Sequence, residues 1–181
     1  MPTPLIFAVV VLIWGTTWFA IKFQLGVVAP EVSLVYRFAL AAACVFAYAR
    51  ATGSPLALSW RDHRFVALQG ATLFCLNYWL TYLSTQFLTS GLVAVLFTSI
   101  IFFNLVNSLL IFRAPVEPRV IAAAAAGVVG VALLFLPELR AALDDPGILH
   151  GAGLALGATY LASLGNMAAT RNTRGECSAG R

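Results

Sequence analysis

Between Phe65 and Phe112 the chain runs for 48 residues without an Asp, Glu, Lys, Arg or His. As a single helix that run would be about 72 Å long, more than twice the ~30 Å hydrocarbon core of a bilayer. It is too long for one crossing and too apolar to lie in water, so it must turn back once. The polar stretch STQFLTSG (84–91) is where the turn belongs. The same logic along the whole chain yields six apolar segments, at 4–23, 32–49, 65–83, 90–112, 119–136 and 151–170. Their connections carry turn chemistry, and Pro30, Pro55, Pro115, Pro118, Pro137 and Pro146 all fall in loops or at helix ends. The runs are continuously apolar where barrel strands would alternate, so helices are expected. The expected fold is all-α, a polytopic transmembrane bundle of six spans.

Composition agrees. Of the 181 residues 61% are hydrophobic and 10% charged, against about 25% charged in an ordinary soluble domain. The net charge of +4 belongs to loops. With the N-terminus in the cytoplasm, the inner side holds Arg50, Arg61, Arg64, Arg113, Arg119, Arg171, Arg174 and Arg181, and the outer side only Lys22 and Arg140. Both termini are then cytoplasmic, in a cell inner or plasma membrane. No basic stripe interleaved with aromatics suggests nucleic acid as a partner. The start MPTP lacks the basic region of a secretory signal, so the first helix reads as retained.

Chemistry-bearing motifs are sparse. Cys44, Cys75 and Cys177 form no C-x-x-C pair and read as reduced thiols. His63 and His150 lie in loops on opposite sides, so they cannot share a metal. There is no nucleophile elbow and no Walker loop. Neither an enzyme nor an ATP-driven pump is expected, and neither a metal nor another cofactor. The seven acidic residues all lie in loops, at helix ends or in the tail, leaving no mid-membrane carboxylate of the kind that binds organic cations.

One internal echo stands out. GTTWFA (15–20) returns as GATYLA (157–162), each starting mid-span. Segments one and six run in opposite directions, as in transporters built from inverted repeats. The repeat unit would be five helices: residues 1–137 hold the first repeat, 138–170 a loop and the first helix of a second, and 171–181 a polar tail.

These features resemble the drug/metabolite transporter superfamily, and its EamA-type permeases in particular. LIWGTTWFAIKF in segment one, VSLVYRFALAAA in segment two, LNYWLTYLSTQFLTSGLVAVLFTS across segments three and four, and GVVGVALLF in segment five carry the likeness over residues 5–136. HGAGLALGATYLASLGNMAATRN resembles the start of that family's second repeat. The resemblance implies ten helices in two inverted halves, exporting a small organic metabolite such as an amino acid by alternating access. Ile101 and Ala114 stand where the family often has a proline and a glutamate. The chain reads as truncated, one half plus a helix. It would work with a second copy as a homodimer or with a missing second half; the alternative is a non-transporting fragment or associative bundle.

Seven residues are candidates for a substrate pathway: Trp14, Gly15, Trp18, Arg37, Asn77, Tyr78 and Asn104. Arg37 is the one ionisable residue inside an apolar segment; it either attracts a substrate carboxylate or snorkels to the interface. Trp14, Trp18 and Lys22 share one stripe, and Trp14 sits too deep for an interfacial belt. Gly15 reads either as part of a wet path or as a close-packing site. Gly70, Asn77, Thr81 and Ser84 share a stripe of segment three beside Tyr78 and Tyr82. Asn104, Asn107 and Ser108 cluster on segment four. Such amides either line a cavity or cross-link helices. The small-residue faces Ala123/Gly127, Ala126/Gly130 and Gly153/Gly157 read as helix-packing surfaces.

Overall fold

The computed structural model describes residues 3–24, 28–54, 56, 58–141 and 146–179. Among these residues all regular structure is helical: α1 (Thr3–Gln24), α2 (Pro30–Ala51), α3 (Trp60–Gln69), a π-helical segment (Gly70–Leu76), α4 (Asn77–Ser84), α5 (Ser90–Phe97), α6 (Ile100–Phe112), α7 (Pro118–Ala141) and α8 (Pro146–Ala179). The segments Pro30–Ala51, Ser90–Phe112 and Pro146–Thr173 are long and apolar enough to cross a membrane, and Thr3–Thr17 and Pro118–Leu134 are shorter apolar stretches. The third apolar segment, 65–83, is carried by the end of α3, the π segment and α4 in direct succession.

Local chemistry sets the helix ends. Pro30 opens α2 where an amide hydrogen has no helical partner, and α7 and α8 likewise begin at Pro118 and Pro146. The Ser59 hydroxyl caps α3 by accepting from the Asp62 amide at 3.1 Å. Thr89 caps α5, accepting from the Leu92 amide at 3.3 Å, so the charge-free run turns back within the expected polar stretch. Arg113, with φ of 51°, closes α6 in the left-handed region.

Three details depart from the sequence reading. The fourth span is pinched at Thr98–Ser99, where amides bond back three residues, to Val95 and Leu96. Pro137 lies inside α7, which continues to Ala141. The helix α8 runs through the stretch read as a tail, as far as Ala179.

The sixth span occupies the interior. In its most apolar window 39% of residues are buried, against 6% for α2. The reason is side-chain size: α8 presents Ala152, Ala155, Ala158, Thr159, Ala162, Ser163 and Ala168 to its neighbours, all buried. At two of its glycines the approach is closest. A Cβ at Gly151 would lie 2.7 Å from the Phe87 Cβ, and one at Gly165 would lie 2.6 Å from the Leu73 Cβ and 3.0 Å from its backbone N and Cα. By contrast, nothing stands within 4 Å of a Cβ built at Gly15, Gly127, Gly130 or Gly153. Among the described residues, then, the expected close packing is not made at Gly127 and Gly130 of α7 or at Gly153 of α8. Large apolar side chains such as Phe7, Leu12, Val35, Leu40 and Leu133 are exposed, as a lipid-facing perimeter requires.

A polar seam ties α8 to spans three and four. The Asn107 amide donates to the Ser163 hydroxyl at 2.9 Å, and Asn166 donates to Asn104 Oδ1 at 3.3 Å. Asn172 donates to Gln69 Oε1 at 2.9 Å. Arg171 pairs with Asp62 at 3.0 Å, and its guanidinium lies 3.7 Å from the Phe65 ring centroid. The two echoed threonines behave alike: Thr17 donates to the Ile13 carbonyl at 2.8 Å and Thr159 to Ala155 at 2.7 Å. Each satisfies its hydroxyl within its own helix.

Candidate functional site: a central cavity

A cavity of about 430 Å³ opens between spans one, two, three, four and six. That volume is in the range of small-molecule pockets, roughly 300–1,000 Å³. Its polar lining comes from Thr17 on α1, Arg37 on α2, Asn77, Tyr78 and Thr81 on α4, and Asn166 on α8, with Trp14 forming part of the α1 wall.

Arg37 lies seven residues beyond Pro30, roughly 10 Å along the helix axis. Its guanidinium carbon sits 5.1 Å from the Tyr78 ring centroid and 5.8 Å from that of Phe38. Among the described residues no carboxylate pairs with it; the ion pair they contain is Arg171–Asp62. Arg37 is thus a cation steadied by ring faces, with donors to spare for an anion. The rings form a braced wall: Phe38 meets Tyr78 edge-on at 5.2 Å and Phe74 at 5.7 Å. Behind them Tyr82, wholly buried, packs with Leu34.

Asn77 is buried, and its side-chain amide donates to the Leu73 carbonyl at 3.0 Å. The Thr81 hydroxyl donates to the Asn77 carbonyl at 2.9 Å and reaches its Oδ1 at 3.5 Å. Trp14 is 60% exposed on the far wall. At the N-terminal end of α2, the Trp79 indole donates to Glu31 at 2.8 Å.

Four of the seven candidates therefore meet: Trp14, Arg37, Asn77 and Tyr78 line one cavity. Gly15 is exposed on α1 and does not line it. The Trp18 side chain lies outside the described residues. Asn104 lies across Asn166, in a neighbouring groove of about 560 Å³ lined also by Ser108, Val120 and Thr170. Asn166 borders both spaces and was not singled out in the sequence; a lone amide in an apolar stretch was the available signal. The stripe drawn through Gly70, Asn77, Thr81 and Ser84 also changes. Asn77 and Thr81 face the cavity, but Gly70 lines a groove on the outer side with Glu31 and Trp79. The π segment holds more residues per turn than an α-helix, which rotates Gly70 off the stripe.

The site can bind an anionic group at Arg37, stack a flat or apolar group on Trp14 and Tyr78, and hydrogen-bond through the amides. Among the described residues no three His, Cys, Asp or Glu side chains are grouped to hold a metal. Residues 1–136 match the family model described as the EamA-like transporter family. The chain belongs to the EamA-like transporter family. No curated protein and no solved structure matches it. EamA-like membership and the apolar helices make this an integral membrane protein of a small-molecule transporter family, not of an enzyme family. The EamA-like match ends before α8 begins, yet α8 supplies Ala162 and Asn166 to the cavity.

Proposed function

We propose that the chain exports a small organic metabolite carrying a carboxylate, with amino acids the leading class, by alternating access around the central cavity. The supporting observation is the convergence of Arg37, unpaired by any described carboxylate, with Trp14, Tyr78 and Asn77 on one cavity. Arg37 receives the carboxylate; the aromatic faces take the side chain or the ammonium group. The membrane is the cell inner or plasma membrane, with both termini cytoplasmic, in keeping with the excess of Arg in the inner loops. A second copy of the chain or a second half completes the cavity. Trp14 is 60% exposed, and among the described residues the principal contact of α1 is with α5, so the α1 wall is thinly backed by them.

The test is counterflow of radiolabelled L-phenylalanine in liposomes. Uptake above protein-free liposomes is expected, and Arg37→Gln reduces it about tenfold or more while the folded fraction is unchanged. Wild-type flux in Arg37→Gln would remove Arg37 from the site. Absence of flux in well-folded wild type, for L-phenylalanine and for other carboxylates, would refute the transport reading.

A further inference from the structure

The π segment Gly70–Leu76 is seated rather than loose. The Leu73 backbone, at its centre, presses on Gly165 of α8, where a Cβ would come within 3.0 Å of the Leu73 N and Cα. A widened turn pushes backbone outward, and only glycine leaves room for it there. The segment also changes the hydrogen-bond ledger. Where five-residue pairing reverts to four-residue pairing, one carbonyl is passed over by the amide hydrogens. The Asn77 side-chain amide donates to Leu73 O, in the middle of the segment, at 3.0 Å. Asn77 lines the central cavity, one residue from Tyr78 and across from Arg37.

We infer that Asn77 is a positioning residue that couples cavity occupancy to the register of the third span. An acceptor on a bound molecule competes with Leu73 O for Asn77 Nδ2. When it wins, Leu73 O loses that donor in an apolar surrounding, which is unfavourable. The segment recovers a donor by tightening to four-residue pairing. That tightening withdraws Leu73 from Gly165 and turns α3 relative to α4, at the seam where Asp62 and Gln69 hold Arg171 and Asn172. Occupancy of the cavity is thereby transmitted to the inner end of the sixth span. The ligand part of this inference rests on the transport reading; the register part does not.

Hydrogen–deuterium exchange of the full chain in nanodiscs separates the two. Without ligand, Asn77→Ala and Gly165→Ala should each change exchange over 70–78 by about threefold or more and leave 90–97 unchanged. Asn77→Ser should behave as wild type without ligand, because a serine hydroxyl also reaches the carbonyl four residues back. With saturating L-phenylalanine, wild type should change over 70–78 and Asn77→Ser should not. Unchanged ligand-free exchange in both alanine variants overturns the register claim. A wild-type exchange response to L-phenylalanine in Asn77→Ser overturns the coupling. If wild type binds no L-phenylalanine, the transport reading fails and takes the coupling with it, while the ligand-free comparison still decides the register.

Discussion

The polar seam makes a sharp energetic prediction at Asn107 and Ser163. Both are buried, at 4% and 0% exposure, and the bond between them is 2.9 Å long. In water-soluble proteins, leaving one such partner unsatisfied costs about 1–3 kcal/mol. In a bilayer the unfolded reference also finds partners, and interhelical pairs average about 0.6 kcal/mol with a maximum near 1.7. Complete burial and a short bond place Asn107–Ser163 in the upper half of that range, at about 1 kcal/mol. The Asn166–Asn104 bond is longer, 3.3 Å, and only partly buried, so it should fall at or below the average of about 0.6 kcal/mol. The experiment is a pair of double-mutant cycles: Asn107→Ala with Ser163→Ala, and Asn104→Ala with Asn166→Ala. Unfolding free energies would be read by steric trapping in bicelles. The cycle cancels the cavity that each alanine leaves, so the coupling reports the bond. A coupling near zero at 107–163, or one smaller than that at 104–166, would refute the claim that burial and geometry set the strength of this seam.

Other perturbations should separate close contacts from open ones. Gly151→Ala places a Cβ against Phe87 and Leu88 and should destabilise by about 1–3 kcal/mol, read as a lowered Tm in detergent. Gly127→Ala meets nothing within 4 Å and should be neutral, or stabilising by about 0.5–1 kcal/mol through helix propensity. The Asp62 carboxyl is held below the ordinary carboxylate range, by the Ser59 hydroxyl first and Arg171 next. A depressed carboxyl contributes stability that is whole above its unfolded value and is lost as pH falls through its folded value. Wild type should therefore exceed Asp62→Asn in Tm at neutral pH and converge with it in acid; a constant gap would count against the ion pair. Exchanging the pair, Asp62→Arg with Arg171→Asp, should recover part of the loss seen in either single variant.

Much of the architecture was legible because a bilayer imposes one rule on every span. A charge-free run too long for one crossing had to reverse, and Thr89 caps the returning helix within the stretch that composition marked. Arg37, Trp14, Asn77 and Tyr78 were legible as candidates for the same reason: polar or indole groups deep in apolar helices need somewhere to face. Their meeting in one cavity was not legible, since helical periodicity gives a direction around one axis but says nothing about which axes adjoin. The glycines illustrate the limit: among the described residues Gly151 and Gly165 meet close neighbours while Gly153, Gly127 and Gly130 meet none, and spacing along the chain does not tell them apart.

Sequence alone determined the class of solvent, the helical spans and the residues unsuited to lipid, because those follow from transfer energies counted residue by residue. Tertiary structure alone decided that α8 lies at the centre and that Asn166 borders two spaces. It also decided that the third span widens into a π turn against Gly165, moving Gly70 away from Asn77. Each of these depends on a backbone-to-backbone approach between distant segments, and no local pattern along the chain encodes such an approach.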